Sequence, residues 1–546
     1  MKNSVLIPVS FLLCAALLSS CCGNNNNQAV YNNDGQQIFI GEDIAVAQTE
    51  YGTVKGFMVR GINVFQGIPY GAPTSGKNRF MPPQPPEPWE GVKPTVAYGE
   101  SAPQDMYDRS PESYGMFVDH WNYDLIGEDC LRLNVWTPGL ADGKKRPVLV
   151  WLHGGGFSRG NGIEQDGYNG ENFSQYGDIV FVSINHRLNA FGFTDLSKVG
   201  GEKYKNSGNA GMLDIIAALE WVNKNIANFG GDPGNVTIMG QSGGGAKVCT
   251  IAAMPAAKGL VHKGVALSGS AISANNKDYA EGLGEIILAE AGLKPDEVDK
   301  LQELPWEEYM AIANRASRRY RAENVGGRGG FSPQADGFNI PDGTFFDPND
   351  ASIPNIPMIF CTTFNETPVS RDDASLESIS FEGVAERLAG NYRDNAAKIV
   401  EAYHQLFPEM RPVELWSMIV SNRQVVIRSA NAKLAQSAPV YLAWFGMGSP
   451  LFDGRHKAFH CSDISFWFRN TDLMITHTGG GKRPRALAEK MSEALLNFMR
   501  TGDPNCKTLP AWPQYTTENG ETMILNEVCE VKNDPDRPVR QLFPQR

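Results

Sequence analysis

The chain has 546 residues, of which 42% are hydrophobic and 20% are charged; these ordinary globular values exclude wholesale disorder. The formal net charge of −12 gives no reason to expect nucleic-acid binding, which relies on basic surfaces. A chain of this length can form one large domain or two to three average ones.

The first residues have the pattern of an export signal: Lys2 supplies a positive start, residues 5–18 are apolar, and small residues follow. The segment Leu18-Ser19-Ser20-Cys21 resembles a bacterial lipobox, in which Cys21 is lipidated and becomes the mature N-terminus. An ordinary cleaved signal is the alternative. We therefore expect a signal peptide at residues 1–20, a flexible tether at residues 21–46 and one large domain at residues 47–546. The lipid would attach the exported protein to a cell-envelope membrane, on its periplasmic or surface face.

Short apolar runs rich in branched residues recur along the chain and have the length of buried strands. They span residues 147–152, 179–184, 236–239, 264–267, 357–361 and 439–444. Helical spacing of apolar residues appears between them, at residues 210–228 and 483–500. Residues 278–321 are also helix-like but polar, and we expect them outside the sheet. Alternating strands and helices predict an α/β fold with a mostly parallel sheet, whose ligands bind at the carboxyl ends of the strands.

The pattern G-x-S-x-G occurs twice, at residues 156–160 and 240–244. A nucleophile elbow needs a strand before the serine and a helix after it. The predicted strand at 236–239 precedes Ser242, and a helix-like run follows it through Met254. Ser158 also follows a strand, but loop residues come after it. The sequence therefore predicts Ser242 as a nucleophile, with Ser158 as the weaker alternative.

A second glycine-rich segment, His153-Gly154-Gly155-Gly156-Phe157, follows the predicted strand at 147–152. Glycines leave backbone N–H groups unobstructed, and acyl transfer needs such donors where the carbonyl oxygen gains negative charge. We expect the N–H groups of Gly155, Gly156 and Gly243 to form an oxyanion hole. The alternative is a glycine-rich turn without chemistry.

Four further segments resemble the type-B carboxylesterases, the family that includes the cholinesterases: residues 65–70 (FQGIPY), 128–136 (EDCLRLNVW), 185–193 and 228–233 (NFGGDP). The resemblance extends over residues 47–535. It implies an α/β-hydrolase fold and hydrolysis of carboxylic esters through an acyl-enzyme, without a cofactor. Two departures stand out. Gln241 replaces a glutamate usual before the nucleophile, and residues 101–104 offer no cysteine partner for Cys130, which we expect to be a free, buried thiol.

The order along the chain in α/β-hydrolases is serine, acid, histidine. His460, in the segment HCSDI, resembles the family's base, and His456 is its rival. Glu366 follows the predicted strand at 357–361 in a segment that resembles the family's acid turn, and Asp372 and Asp373 are the rivals. The expected triad is thus Ser242, Glu366 and His460, in which the carboxylate orients the imidazole.

Other residues carry weaker expectations. Asp463 and Ser268 either support the triad or make only structural hydrogen bonds. Trp121, Tyr123 and Phe157 either line the substrate pocket or belong to the core or rim. Cys506 and Cys529 are close enough in sequence for a disulfide, which the sequence leaves open. No cysteine or histidine cluster has the spacing of a metal site.

The expected partner is a small-molecule ester. An uncharged Gln241 predicts little preference for choline esters over neutral esters of similar size. Two other functions remain open: a non-catalytic adhesion or binding protein on the same fold, and a peptidase or acyltransferase that uses the same triad. The sequence predicts no oligomeric state.

Overall fold

The structure is a computed structural model that describes residues 35–105, 117–118, 125–324 and 330–543. The predicted signal peptide, the lipobox with Cys21, and the candidate pocket residues Trp121 and Tyr123 lie outside the described residues.

The described strands form a twelve-stranded sheet and a small three-stranded sheet. The twelve strands lie in the order β1-β4-β5-β7-β9-β8-β10-β11-β12-β13-β14-β15, and the small sheet has the order β2-β3-β6. In chain order the strands are β1 Ile38–Phe39, β2 Val46–Thr49, β3 Gly52–Lys55, β4 Phe57–Val59, β5 Ile62–Pro69, β6 Val92–Pro94, β7 Arg132–Thr137, β8 Arg146–Leu152, β9 Val180–Ile184, β10 Gly231–Gln241, β11 Lys263–Leu267, β12 Met358–Thr363, β13 Val440–Phe445, β14 Glu521–Leu525 and β15 Glu530–Asn533.

The centre of the large sheet is parallel: neighbouring strands pair in parallel from β9 through β8 and β10 to β14. All six strands predicted from apolar runs are present there, as β8 to β13, which confirms the predicted α/β fold. The antiparallel strands at both edges were not predicted. Among them, β1, β4 and β15 are short and partly exposed, so no continuous apolar run marks them.

The helices lie between these strands. They span Glu171–Gly177, Asn189–Phe193, Ser197–Gly200, Ala210–Asn225, Gly243–Ile251, Lys277–Glu290, Trp306–Glu323, Phe381–Tyr392, Ala396–Leu406, Pro412–Ser421, Gln424–Lys433, Ile464–Trp467, Ile475–Thr478, Lys482–Thr501 and Arg537–Arg540. The helical runs predicted at 210–228 and 483–500 are confirmed within three residues at each end. The polar region at 278–321 is divided into two helices and a 3-10 helix, with Pro295 and Pro305 at the starts of the later two. Proline favours such starts because it has no N–H to donate inside a helix.

Each face of the sheet packs against a separate hydrophobic core. Successive side chains of β8 alternate between them: Val148, Val150 and Leu152 join one core, and Leu149 and Trp151 join the other. This alternation follows from the two-residue repeat of a strand. Because both faces are buried, the sheet is a rigid platform for the loops at its carboxyl edge.

The described cysteines are all free thiols. Cys130 is fully buried, as expected. The possible bridge between Cys506 and Cys529 is not formed, since Cys506 Sγ lies 3.4 Å from Thr508 Oγ1 and Cys529 Sγ bonds the Asn526 carbonyl at 3.3 Å. Of the described helices, none combines the length and apolarity needed to cross a bilayer.

Candidate active site

The candidate residues gather at the carboxyl ends of four strands of the sheet. The glycine segment at 153–157 follows β8, Ser242 follows β10, Glu366 follows β12, and His460 lies in the loop after β13. Since these strands belong to one parallel sheet, their carboxyl ends share an edge, which is where the sequence predicted the chemistry.

Ser242 occupies a sharp turn between β10 and the helix Gly243–Ile251. Its backbone has φ 57° and ψ −121°, a conformation that residues with a side chain rarely adopt. The Ser242 N–H donates to the Leu267 carbonyl at 2.8 Å, which ties the turn to β11. A Cβ on Gly269 would lie 1.7 Å from the Ser242 carbonyl oxygen, so only glycine fits beside the turn. This geometry matches the predicted nucleophile elbow.

The glycine segment after β8 lies directly against this turn. A Cβ on Gly243 would lie 2.1 Å from the Gly156 carbonyl oxygen, and one on Gly154 would lie 3.5 Å from Ser242 Cβ. Gly155 and Gly156 have φ values of 77° and 65°. Within the described residues, their N–H groups donate to no other group. The structure therefore brings two free donors beside Ser242.

Glu366 and His460 form a direct hydrogen bond through Oε2 and Nδ1. Their segments are held together by backbone pairing, in which Asn365 N–H donates to the Ala458 carbonyl at 3.1 Å. The other carboxylate oxygen of Glu366 accepts from Thr362 Oγ1 at 2.6 Å and from the Thr363 N–H at 2.7 Å. These bonds fix the carboxylate with one oxygen aimed at the imidazole.

The electrostatics favour an ionised pair. Burial would raise the pKa of Glu366, but the charge of His460 and the hydrogen bonds from His460 and Thr362 bring it below its usual value. Burial would lower the pKa of His460, yet the neighbouring Cys461 and Glu366 raise it well above its usual value. An imidazole beside this carboxylate is therefore a stronger base than a free histidine.

The contact between Gln241 and His460 was not predicted. Gln241 is fully buried, and its Nε2 lies 3.2 Å from His460 Nε2, while its Oε1 accepts from Cys461 Sγ at 3.2 Å. Among the described residues, Ser242 Oγ makes no hydrogen bond with the His460 ring. The imidazole thus faces the amide of the residue adjacent to the serine. The sequence showed that position 241 departs from the family pattern, with an amide where a carboxylate is usual, but not which group the amide faces.

The rival residues lie elsewhere. Ser158 is an exposed residue of a turn, and Asp372 and Asp373 are exposed, the latter capping a 3-10 helix. His456 is buried between the rings of Phe452 and Phe459, which lowers its pKa to about 4 and keeps it neutral. In the part of the chain that the structure describes, none of these four residues forms a hydrogen bond or an ion pair with Ser242, Glu366 or His460.

Asp463, Ser268 and Phe157 surround the candidate triad. Asp463 accepts from Trp467 Nε1 at 3.2 Å, and burial followed by the charge of Glu366 raises its pKa to about 7. The Ser268 hydroxyl lowers the pKa of Glu366, although its oxygen has no hydrogen-bond partner of good geometry in the described residues. Phe157 is partly buried and packs against Phe193 at a centroid distance of 5.4 Å.

Comparison with known proteins shows the family to which this chain is similar. The model of the carboxylesterase family matches residues 43–541. Para-nitrobenzyl esterase of Bacillus subtilis (strain 168) is 33% identical over 516 residues, which is 92% of this chain and 99% of that protein. Phenmedipham hydrolase of Pseudarthrobacter oxydans is 31% identical over 505 residues, which is 90% of this chain and 97% of that protein.

A solved structure agrees with these relatives. An esterase of Clostridium hathewayi that can hydrolyse aliphatic aromatic polyesters superposes with a TM-score of 0.81 at 35% identity, covering 92% of this chain and 99% of that one. The residues that the family model matches, 43–541, include the elbow and the glycine segment. The chain therefore belongs to the carboxylesterase family, and it is a serine carboxylic ester hydrolase with the α/β-hydrolase fold.

Proposed function

We propose that Ser242, His460 and Glu366 are the catalytic triad of this hydrolase, and that the N–H groups of Gly155, Gly156 and Gly243 form its oxyanion hole. The observation that carries the proposal is the Glu366–His460 hydrogen bond beside a serine in a strained turn. Two unoccupied N–H donors of the glycine segment lie next to the same serine, which supports the assignment of the oxyanion hole.

The reaction then has two halves. His460 Nε2 takes the proton of Ser242 as its Oγ attacks the ester carbonyl, and the three N–H groups stabilise the negative oxygen. His460 next gives that proton to the departing alcohol, which leaves an acyl-enzyme. Water repeats the cycle and releases the acid. Glu366 holds the imidazole in the tautomer that leaves Nε2 free to accept.

For His460 to accept from Ser242, the imidazole must exchange the Gln241 amide for the hydroxyl. The two groups belong to adjacent residues, so we expect a side-chain rotation of His460 or of Ser242 to bring about this exchange. Hydrogen bonds of catalytic groups often tighten only when substrate binds.

Replacement of the nucleophile tests this proposal. Ser242→Ala should abolish hydrolysis of an activated ester and covalent labelling by a fluorophosphonate while the fold stays intact. The matched control is Ser158→Ala, which removes the serine of the other G-x-S-x-G segment and should keep both. Normal turnover by Ser242→Ala would overturn the assignment. Failure of the wild-type protein to react with the fluorophosphonate would favour a non-catalytic binding protein. Acyl transfer or peptide cleavage faster than ester hydrolysis would favour an acyltransferase or a peptidase.

We propose neutral carboxylic esters as the substrate class. The support is the buried, uncharged Gln241 beside the imidazole, where a carboxylate would attract a cationic substrate. The relatives named para-nitrobenzyl esterase and the esterase that hydrolyses aliphatic aromatic polyesters fit the same class and suggest esters with an aromatic group. Comparable kcat/KM values are expected for a choline ester and its uncharged isostere; a large choline preference would refute the proposal.

We further propose that the protein is exported and anchored through a lipid on Cys21, since residues 18–21 match a lipobox. Expression in a bacterial host with radiolabelled palmitate should label the wild type and not Cys21→Ser, with Cys22→Ser as the control. Equal labelling of both variants would contradict the assignment. Protease treatment of intact cells would distinguish the surface face from the periplasmic face.

A further inference from the structure

A buried lysine lies beneath the glycine segment of the active site. Lys247 belongs to the helix Gly243–Ile251 that follows Ser242, and its side chain has no exposed surface. Its Nζ donates a hydrogen bond to the His153 carbonyl at 3.0 Å. His153 immediately precedes the glycines of the segment, so the ammonium group joins the nucleophile's own helix to the proposed oxyanion loop.

Two buried cations act on this region: Lys247, and Arg187, which is paired with Asp214 and also lowers the pKa of His186. The imidazoles of His153 and His186 are stacked 5.1 Å apart, and both are fully buried. Burial and the charge of Lys247 hold the pKa of each well below its usual range, so both rings are neutral. Glu164, which is also buried and accepts from Tyr168 at 2.8 Å, is the acidic group that interacts with Lys247. The ring of Phe157 lies 5.8 Å from Nζ and covers it from the loop side.

Space at this junction is too small for rearrangement. A Cβ on Gly244 would lie 2.9 Å from the His153 carbonyl oxygen and 2.0 Å from that of Leu152. The loop therefore rests on the helix at van der Waals contact, and the lysine hydrogen bond sets the direction of the peptide that leads into Gly154. Burying a charge costs several kcal/mol unless the site compensates for it, so an ammonium group here needs a reason beyond packing.

We propose that Lys247 is a positioning residue of the esterase site, whose ammonium group orients the glycine segment and adds positive charge behind the amides that receive the oxyanion. This inference rests on the proposed oxyanion hole. The transition state carries more negative charge on the carbonyl oxygen than the bound ester does, so the lysine acts on kcat more than on KM.

The effect of Lys247 on kcat should also depend on pH. Burial lowers its pKa to about 7, against a smaller raising effect of Glu164. The ammonium form is therefore present below about pH 7 and is lost as the pH rises. The contribution of the ammonium charge to kcat should therefore fall as the pH rises through about 7, in a range where deprotonation of His460, whose pKa is raised, makes activity rise, and His153 and His186 stay neutral.

The test compares two buried lysines. Lys247→Met keeps the side-chain length and removes the charge and the donor; the matched control is Lys433→Met, since Lys433 is equally buried and ends the helix that leads to the amino end of β13, away from the site. Steady-state rates with an activated neutral ester are measured from pH 5 to 9, and fluorophosphonate titration gives the concentration of active sites. Lys247→Met should lose about 10- to 100-fold in kcat where the wild-type lysine is charged, with KM nearly unchanged, and the ratio of wild-type to variant kcat should fall as the pH rises through about 7. Lys433→Met should keep the wild-type kcat and its dependence on pH.

Each outcome has one meaning. If Lys247→Met loses only melting temperature or titratable sites, with the pH profile per active site unchanged, the lysine is merely structural and the inference is overturned. If that variant does not fold, Lys247→Gln replaces it, because glutamine keeps a donor for the His153 carbonyl but carries no charge; a pH profile per active site equal to that of the wild type would contradict the role of the ammonium charge. If the wild type neither hydrolyses esters nor labels, the proposed triad fails rather than the role of Lys247.

Discussion

Replacing Glu366 by glutamine gives a sharp test of the proposed triad, because the structure fixes how the new amide must sit. One oxygen of Glu366 accepts from Thr362 Oγ1 at 2.6 Å and from the Thr363 N–H at 2.7 Å. Only the carbonyl oxygen of a glutamine can satisfy those two donors. Its NH₂ group is then turned toward His460 Nδ1, which must become an acceptor. The imidazole therefore carries its proton on Nε2 and cannot take one from Ser242.

The expected loss follows from this tautomer change. An equivalent acid-to-amide change in a serine protease triad lowers kcat by about 10⁴, and a loss of about 10³–10⁴ corresponds to roughly 4–5.5 kcal/mol of transition-state stabilisation. We expect that loss in kcat for Glu366→Gln, with KM changed by less than about threefold, since the ester does not contact the carboxylate. The assay is stopped-flow hydrolysis of an activated ester, in which both the burst rate and the steady-state rate should fall.

Asp372→Asn is the matched control, because it makes the same acid-to-amide change on an exposed residue that follows the same strand. It should retain the wild-type kcat within about twofold, as is usual for a surface substitution. Retention of more than a tenth of the wild-type kcat by Glu366→Gln, or a large loss in Asp372→Asn, would show that the acid has been misassigned.

Three further outcomes are expected. Gly243→Ala should lose about 10²–10³ in kcat, because its Cβ would lie 2.1 Å from a carbonyl oxygen of the glycine segment. The control is Gly390→Ala, which should be active because nothing lies within 4 Å of its Cβ. Equal activity of the two variants would argue against the close approach of Gly243 to the glycine segment. Asp214→Asn should lower the free energy of unfolding in urea by about 3–5 kcal/mol, since Asp214 and Arg187 form a fully buried two-point ion pair, and a loss below about 1 kcal/mol would contradict this. The pKa of Glu366 is lower in the folded state, so its stabilising effect is complete above its unfolded pKa and is lost as the pH falls through the folded value. The unfolding free energies of the wild type and Glu366→Gln should therefore converge between about pH 5 and pH 3. A constant difference between them would refute the linkage.

The centre of the fold could be predicted because burial on both faces of a parallel strand leaves a continuous apolar run. β8 to β13 were recognisable in this way, and the elbow and the acid turn follow such strands directly. The edge strands could not be found, because a strand such as β15, with exposed or half-buried residues throughout, has no apolar repeat. Their pairing depends on partners far away in the chain, which a local pattern does not contain.

The residues of the candidate site were easier to predict from the sequence than the contacts between them. The family pattern pointed to His460 and Glu366, but nothing in the sequence indicates that the Gln241 amide faces the imidazole or that Cys461 donates to it. The buried position of Lys247 was also unexpected, since a lysine in a short helix is usually exposed. Three-dimensional packing decides such contacts. Cys21, Trp121 and Tyr123 stay predictions from the sequence alone.

The Glu366–His460 bond joins positions 94 residues apart, and each residue follows a different strand of one sheet. No fragment that ends before residue 460 contains both members of the pair. If the pair has the proposed catalytic role, the appearance of hydrolysis during refolding reports that β12 and β13 have paired. With the proposed triad, the chain would have no hydrolase activity at any stage before that point. A cell that exports this chain in the unfolded state would therefore not expose its internal esters to an active hydrolase.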